Sequence, residues 1–150
     1  MAKAWLALGA NLGEPQAQLD DAISRIAAHP EMDVVLTSGM IVTKAWGKTD
    51  QPDFINMAVE IATSLPPGAL LDACLGIEKE MGRVRDARWG PRLIDIDIIA
   101  YEKLVLSTGR LTLPHPHAHM RGFVLGPLRE IAPDTADWLV AQANARRSVD

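Results

Sequence analysis

Residues 93–99 read Leu93-Ile94-Asp95-Ile96-Asp97-Ile98-Ile99, an alternation of apolar and acidic side chains. Side chains on a strand point to opposite faces in turn. Ile94, Ile96 and Ile98 therefore share one face, and Asp95 and Asp97 the other. The apolar face needs a helical layer to cover it. A candidate lies just upstream, where Leu70, Leu71, Cys74, Ile77 and Met81 recur at helical spacing after the break at Pro66-Pro67-Gly68. Gly82 is its natural stop.

Further upstream, 34–43 and 54–62 are rich in β-formers and are joined by the polar loop 44–53, which makes them antiparallel neighbours. Leu19, Ala22, Ile23, Ile26 and Ala27 form a helical stripe after Pro15. Residues 3–8 read as a first strand, with a turn at Gly9-Ala10-Asn11-Leu12-Gly13. The order is β-α-β-β-α-β, closed by residues 93–100. It predicts an α+β chain with a ferredoxin-like antiparallel sheet flanked by helices, a three-layer α/β/α sandwich forming a single domain over 1–150. Short strands at 104–106 and 111–113, a short helix at 124–131 and a terminal helix around Trp138, Leu139, Val140 and Ala143 complete the expectation.

Two carboxylates at i and i+2 on one strand face lie roughly 7 Å apart. Like charges this close raise each other's pKa, and a divalent cation removes the conflict. Oxygen ligands with positions left open for phosphate and water suit Mg²⁺. The plain alternative is a polar face turned to solvent. The flanking residues shift the balance. Arg83, Arg85, Arg88 and Arg92 place four arginines within ten residues, immediately before the acidic strand, and guanidinium forks match phosphate oxygens. Trp89 either stacks on a flat ring or anchors the loop. A solvated charged loop and a single-strand RNA patch are the alternatives for this run. His115, His117 and His119 alternate, but their spacing matches no zinc pattern and no cysteine joins them. A neutral His115 donating to a phosphate oxygen is the better functional reading, and structural roles suit His117 and His119.

The formal net charge of -4 argues against general nucleic-acid binding, which usually shows a basic excess. No apolar run approaches the roughly 18 residues of a membrane helix. The short apolar run after Lys3 is ended quickly by Asn11, Gly13 and Glu14, so it reads as a strand rather than a signal segment. The single cysteine, Cys74, excludes an internal disulfide and fits a cytoplasmic location. The expected partners are small molecules, with no nucleic acid and no membrane, and the expected state is a monomer.

Read together, several blocks resemble the 6-hydroxymethyl-7,8-dihydropterin pyrophosphokinases of folate biosynthesis. They are Gly-Ala-Asn-Leu-Gly at 9–13, Asp-Gln-Pro-Asp-Phe-Ile-Asn at 50–56, Gly-Arg-Val-Arg at 82–85, Arg-Trp-Gly-Pro-Arg-Leu-Ile-Asp-Ile-Asp-Ile at 88–98, Leu-Pro-His-Pro at 113–116 and Arg-Gly-Phe-Val-Leu at 121–125. The resemblance implies transfer of pyrophosphate from ATP to the hydroxymethyl oxygen of the pterin, with AMP leaving. It implies two Mg²⁺ ions on Asp95 and Asp97, and Arg83 and Arg92 supporting the transfer. Around ATP it implies Glu78, Arg85, Arg88, Trp89, Ile98, Arg110, Thr112, His115 and Arg121. Around the pterin it implies Phe54 and Phe123 as sandwiching rings, Asn56 reading the polar edge, and backbone near Thr43 and Trp46. The sequence departs from the family pattern at Ala10, where serine is usual. It also departs at Lys44-Ala45-Trp46, where a proline is usual, and at Leu75, where some members carry glutamine.

Overall fold

The computed structural model describes residues 1–44, 53–82 and 94–149. In chain order the elements are β1 (Ala2–Ala10), α1 (Pro15–Ala28), β2 (Met32–Thr37), β3 (Ile41–Thr43), β4 (Phe54–Thr63) and α2 (Pro67–Gly82). They continue with β5 (Asp95–Tyr101), β6 (Leu106–Ser107), β7 (Thr112–Leu113), a 3₁₀ turn (Ala118–Met120), α3 (Gly122–Ile131) and α4 (Pro133–Val149). The main sheet is antiparallel in the order β2-β4-β1-β5, with β3 also pairing β4. Helices α1 and α2 cover one face and α3 and α4 the other, which gives the ferredoxin-like α+β sandwich.

The period-two pattern sorts each strand between two cores. Ala4, Leu6, Leu8 and Ala10 of β1 join Leu19, Ala22 and Ile26 of α1 and Leu70, Cys74 and Ile77 of α2. Ile94, Ile96 and Ile98 enter this same core. Fully burying each such large aliphatic side chain contributes about 1.5–3 kcal/mol. On the opposite face Trp5, Ala58, Ile99 and Ala100 pack with Val124 and Leu128 of α3 and Leu139 of α4. Ile99 and its neighbour Ala100 share one face because the β1–β5 register slips between Trp5 and Leu6.

Three boundaries differ from the sequence expectation. The strand expected at 34–43 is two strands. At the break, Ser38 Oγ accepts the Ala58 N–H at 2.8 Å and the Ser38 N–H donates to the Ala58 carbonyl at 2.9 Å, so a side chain replaces one rung of the ladder. The Gly39 N–H donates to the Glu130 carboxylate of α3 at 2.9 Å. The first strand runs on through Gly9 and Ala10 rather than turning there, because β4 and β5 pair with it on both sides as far as Gly9. Helix α3 begins at Gly122, two residues before the apolar stripe that marks it, so Phe123 lies in its first turn.

The side of the sheet facing α3 and α4 tapers along β1, where the residues on that face shrink from Trp5 to Ala7 to Gly9. At the wide end Trp5 Nε1 donates to the buried Glu60 carboxylate at 2.9 Å, and Lys3 stands 3.9 Å from the same group. At the narrow end the missing side-chain volume leaves a cleft.

Candidate active site

The cleft floor is laid out by strand register. Ile41, Asn56, Gly9 and Asp95 form one row across β3, β4, β1 and β5. Ala58, Ala7 and Asp97 form the next. Small residues on the central strand thus lie between an amide on one side and two carboxylates on the other. The cavity above them is about 460 Å³ and is also lined by Thr43, Lys44, Phe54, Arg121 and Phe123. Asn56 is buried, and its Nδ2 donates to Thr43 Oγ1 at 2.9 Å. The Arg121 guanidinium carbon lies 6.0 Å from the Phe123 ring centre, at the outer limit of cation–π contact.

A second cavity of about 260 Å³ lies on the other side of β5, lined by Leu71, Leu75, Glu78, Ile98, Arg110, Thr112 and His115. Asp97 lines both cavities. Glu78 reaches from α2 to the strand, and its carboxylate accepts the Ile96 N–H at 2.6 Å, between the two aspartates. Arg110 is paired with Asp72 of α2, both side chains being exposed.

His115 is fixed at both its backbone and its ring. Its N–H donates to the Ile99 carbonyl at 2.9 Å, and its Nδ1 accepts the His117 N–H at 3.1 Å. A nitrogen that accepts a hydrogen bond carries no proton, so the neutral ring holds its proton on Nε2. Burial pushes the His115 pKa below its usual value. Asp97 opposes that fall, while Arg121 and His117 add to it. His117 lies edge-on to His115, with ring centres 6.1 Å apart.

Among the described residues, no group of three His, Cys, Asp or Glu side chains converges as a metal cage. Asp95 and Asp97 offer hard oxygen donors from one strand face, with room beside them in the cleft. That donor set fits Mg²⁺, which takes one or two carboxylates and completes its shell with phosphate and water.

Of the residues singled out from sequence, Asp95, Asp97, Thr43, Phe54, Asn56, Arg121 and Phe123 meet in the first cavity. Glu78, Ile98, Arg110, Thr112, His115 and Asp97 meet in the second. Arg121, expected beside the nucleotide, lines the first cavity. Trp46, Arg83, Arg85, Arg88, Trp89 and Arg92 lie outside the described residues. Ala7, singled out by no motif, and Gly9, expected in a turn, also line the floor. The signal was there in the falling side-chain size at alternate positions of the first strand.

A sheet with one chamber on each side of its acidic end strand, joined at a shared aspartate, suits the transfer of a group between two bound molecules, and the class that fold and site define is that of group-transfer enzymes. Known proteins narrow the class. The model of the 7,8-dihydro-6-hydroxymethylpterin-pyrophosphokinase (HPPK) family matches residues 5–133. A 2-amino-4-hydroxy-6-hydroxymethyldihydropteridine pyrophosphokinase of Methylorubrum extorquens is 52% identical over 134 residues, covering 89% of this chain and 85% of the relative. The Pseudomonas aeruginosa protein of the same name is 43% identical over 132 residues, covering 88% and 82%. The chain belongs to the HPPK family.

Solved structures agree on the fold. A Plasmodium falciparum HPPK-DHPS chain superposes with a TM-score of 0.66 at 15% identity, over 89% of this chain and 40% of that one. A further HPPK-DHPS chain gives 0.68 at 13% identity, over 97% and 43%. This chain thus spans less than half the length of those two-part chains, and matches their ferredoxin-like α+β portion.

Proposed function

We propose that the chain carries out the Mg²⁺-dependent transfer of pyrophosphate from ATP to the hydroxymethyl oxygen of 6-hydroxymethyl-7,8-dihydropterin, releasing AMP. Family membership supports pyrophosphate transfer in folate biosynthesis. The observation that carries the finer reading is that Asp97 lines both cavities. A phosphate chain entering from the Glu78–His115 side and an acceptor lying between Phe54 and Asn56 would meet at that carboxylate.

The acceptor chamber suits a flat, polar-edged ring. Phe54 and Phe123 supply aromatic faces, and the buried Asn56 amide supplies a donor and an acceptor to one ring edge. On the donor side, Ile98 and Leu75 give an apolar surface for a base, while Arg110, Thr112 and the Nε2–H of His115 face the phosphates. Using Arg110 in this way requires it to leave Asp72, a change of partners between exposed groups that costs little. Asp95 and Asp97 would hold up to two Mg²⁺ ions. Held by these carboxylates, Mg²⁺ would supply neutralisation of phosphate charge and polarisation of the β-phosphoryl group. In the transfer, the pterin hydroxyl oxygen bonds to the β-phosphorus and its proton passes to solvent water. The bond from that phosphorus to the oxygen bridging to the α-phosphate breaks, and AMP takes the electron pair. Arg83 and Arg92 are assigned to supporting charge on the transferred group, and Arg85, Arg88 and Trp89 to binding ATP. Thr43 and Trp46 complete the pterin side.

The chain is proposed to act as a monomeric single domain on small molecules in the cytoplasm, with no nucleic acid or membrane partner. The net charge of -4 and the single cysteine support this reading. No helix among the described residues is long and apolar enough to cross a membrane.

The test is a product assay with ATP, Mg²⁺ and the pterin, separating AMP from ADP. AMP should appear only with pterin present, and chelation of the metal should abolish it. Asp97→Asn should lower kcat by about a hundredfold or more while the fold is retained. ADP as the product, or a fully active Asp97→Asn enzyme, would sink the proposal.

A further inference from the structure

We propose that Gly9 is a positioning residue of the acceptor chamber, because the space left by its absent side chain is the seat of the Asn56 amide. The inference rests on the pterin reading given above and deepens it.

A Cβ built on Gly9 falls 2.7 Å from Asn56 Oδ1, closer than real Cβ contacts allow. The nearest backbone atom, the Ile55 carbonyl oxygen, is 3.8 Å away, an ordinary contact. A Cβ at position 9 therefore collides with the amide oxygen, while the next nearest atoms stand at ordinary contact distance. Backbone conformation gives no competing reason for a glycine. Gly9 is a paired strand residue, and the positive-φ glycine among the described residues is Gly13. The amide has little freedom to step aside. Asn56 is 7% exposed, and its Nδ2 is bonded to Thr43 Oγ1 at 2.9 Å. The side chain is clamped between a hydroxyl on β3 and bare backbone on β1, and its remaining N–H and its carbonyl oxygen are held in one orientation.

Orientation matters because the expected ligand edge alternates donors and acceptors. A tilted amide meets that edge with mismatched groups, and a buried polar mismatch costs more than a missing contact. Gly9 would then govern acceptor affinity without touching the reacting atoms and without affecting the nucleotide chamber on the other side of β5.

The experiment measures binding of 6-hydroxymethyl-7,8-dihydropterin by calorimetry, with Mg²⁺ and saturating α,β-methylene-ATP present. Binding of that nucleotide and the thermal midpoint are measured alongside. Gly9→Ala should weaken pterin binding about tenfold or more, leaving nucleotide binding nearly unchanged and lowering the midpoint by only a few degrees. In an Asn56→Ala background the same change should add almost nothing, because the colliding amide is gone. Thr43→Val should also weaken the pterin, and Thr43→Ser should restore it. Overturning results are a Gly9→Ala protein that binds pterin as tightly as the parent, effects of Gly9→Ala and Asn56→Ala that simply add, or a Gly9→Ala chain that does not fold. If the unmodified protein binds the nucleotide but never the pterin, the acceptor reading itself fails, and this inference with it.

Discussion

His115 owes its tautomer to a backbone amide two residues away. The His117 N–H occupies Nδ1, so the ring can offer a hydrogen only from Nε2, and protonating Nδ1 would set two donors against each other. Burial acts in the same direction and lowers the pKa. In the metal-free protein, ring-proton NMR should show His115 titrating below its ordinary value of 6.5. The sign for stability follows. The folded state favours the neutral ring, so this contribution is full above the unfolded pKa and is lost as pH falls from there through the lower folded value. A midpoint above 6.5 would contradict the burial argument. At this scale the sequence was informative where chemistry is written in residue type. Asp95, Asp97, Asn56, Phe54 and Phe123, far apart in sequence, line one cleft. Gly9 was misread as part of a turn, because glycine punctuates loops far more often than it makes room for a neighbour's side chain.

At the scale of elements, β5 is held from both sides by unlike means. Strand β1 pairs one edge, while on the other the Ile96 N–H is taken by Glu78 and the Ile99 carbonyl by the His115 N–H. Glu78 therefore ties α2 to the strand between Asp95 and Asp97, and a charged acceptor bonded to an amide is among the stronger hydrogen bonds. Glu78→Ala should cost about 1–3 kcal/mol in urea denaturation and lower kcat through displaced aspartates. Glu78→Gln, which keeps an acceptor oxygen, should recover most of both. If Glu78→Ala is as stable as the parent and only its KM for ATP rises, then Glu78 serves the nucleotide alone. Element order and pairing were legible from periodicity and loop length. The division of 34–43 into β2 and β3 was not, because a serine hydroxyl standing in for a ladder rung leaves the β-rich composition unchanged. The start of α3 at Gly122 was also hidden, since its first turn carries Phe123 outward to the cleft, ahead of the buried stripe.

Across the whole molecule, two cores with different duties meet at the sheet. One, under α1 and α2, fills the sandwich with aliphatic side chains. The other, under α3 and α4, is interrupted by the cleft where β1 runs down to alanine and glycine. Cys74 belongs to the first, where burial, with Glu78 and Asp97 adding to it, pushes its thiol up to about 12. That thiol is structural and unreactive in the folded state.

The place of β5 at the end of the main sheet has a further consequence for how this protein keeps to itself. An end strand is a template for sticking to another chain, and charged side chains are the usual deterrent. With both aspartates made alanine, residues 94–100 would read Ile-Ala-Ile-Ala-Ile-Ile-Ala, uncharged, rich in β-formers and without proline. Light scattering on heating should show the double alanine variant aggregating well before the double asparagine variant, although both lack the same two charges, because asparagine keeps a solvated polar row on that strand. Equal aggregation of the two would leave the edge guarded by Glu78 and His115 alone. On this argument the acids proposed to serve the chemistry would also limit association through the strand that carries them.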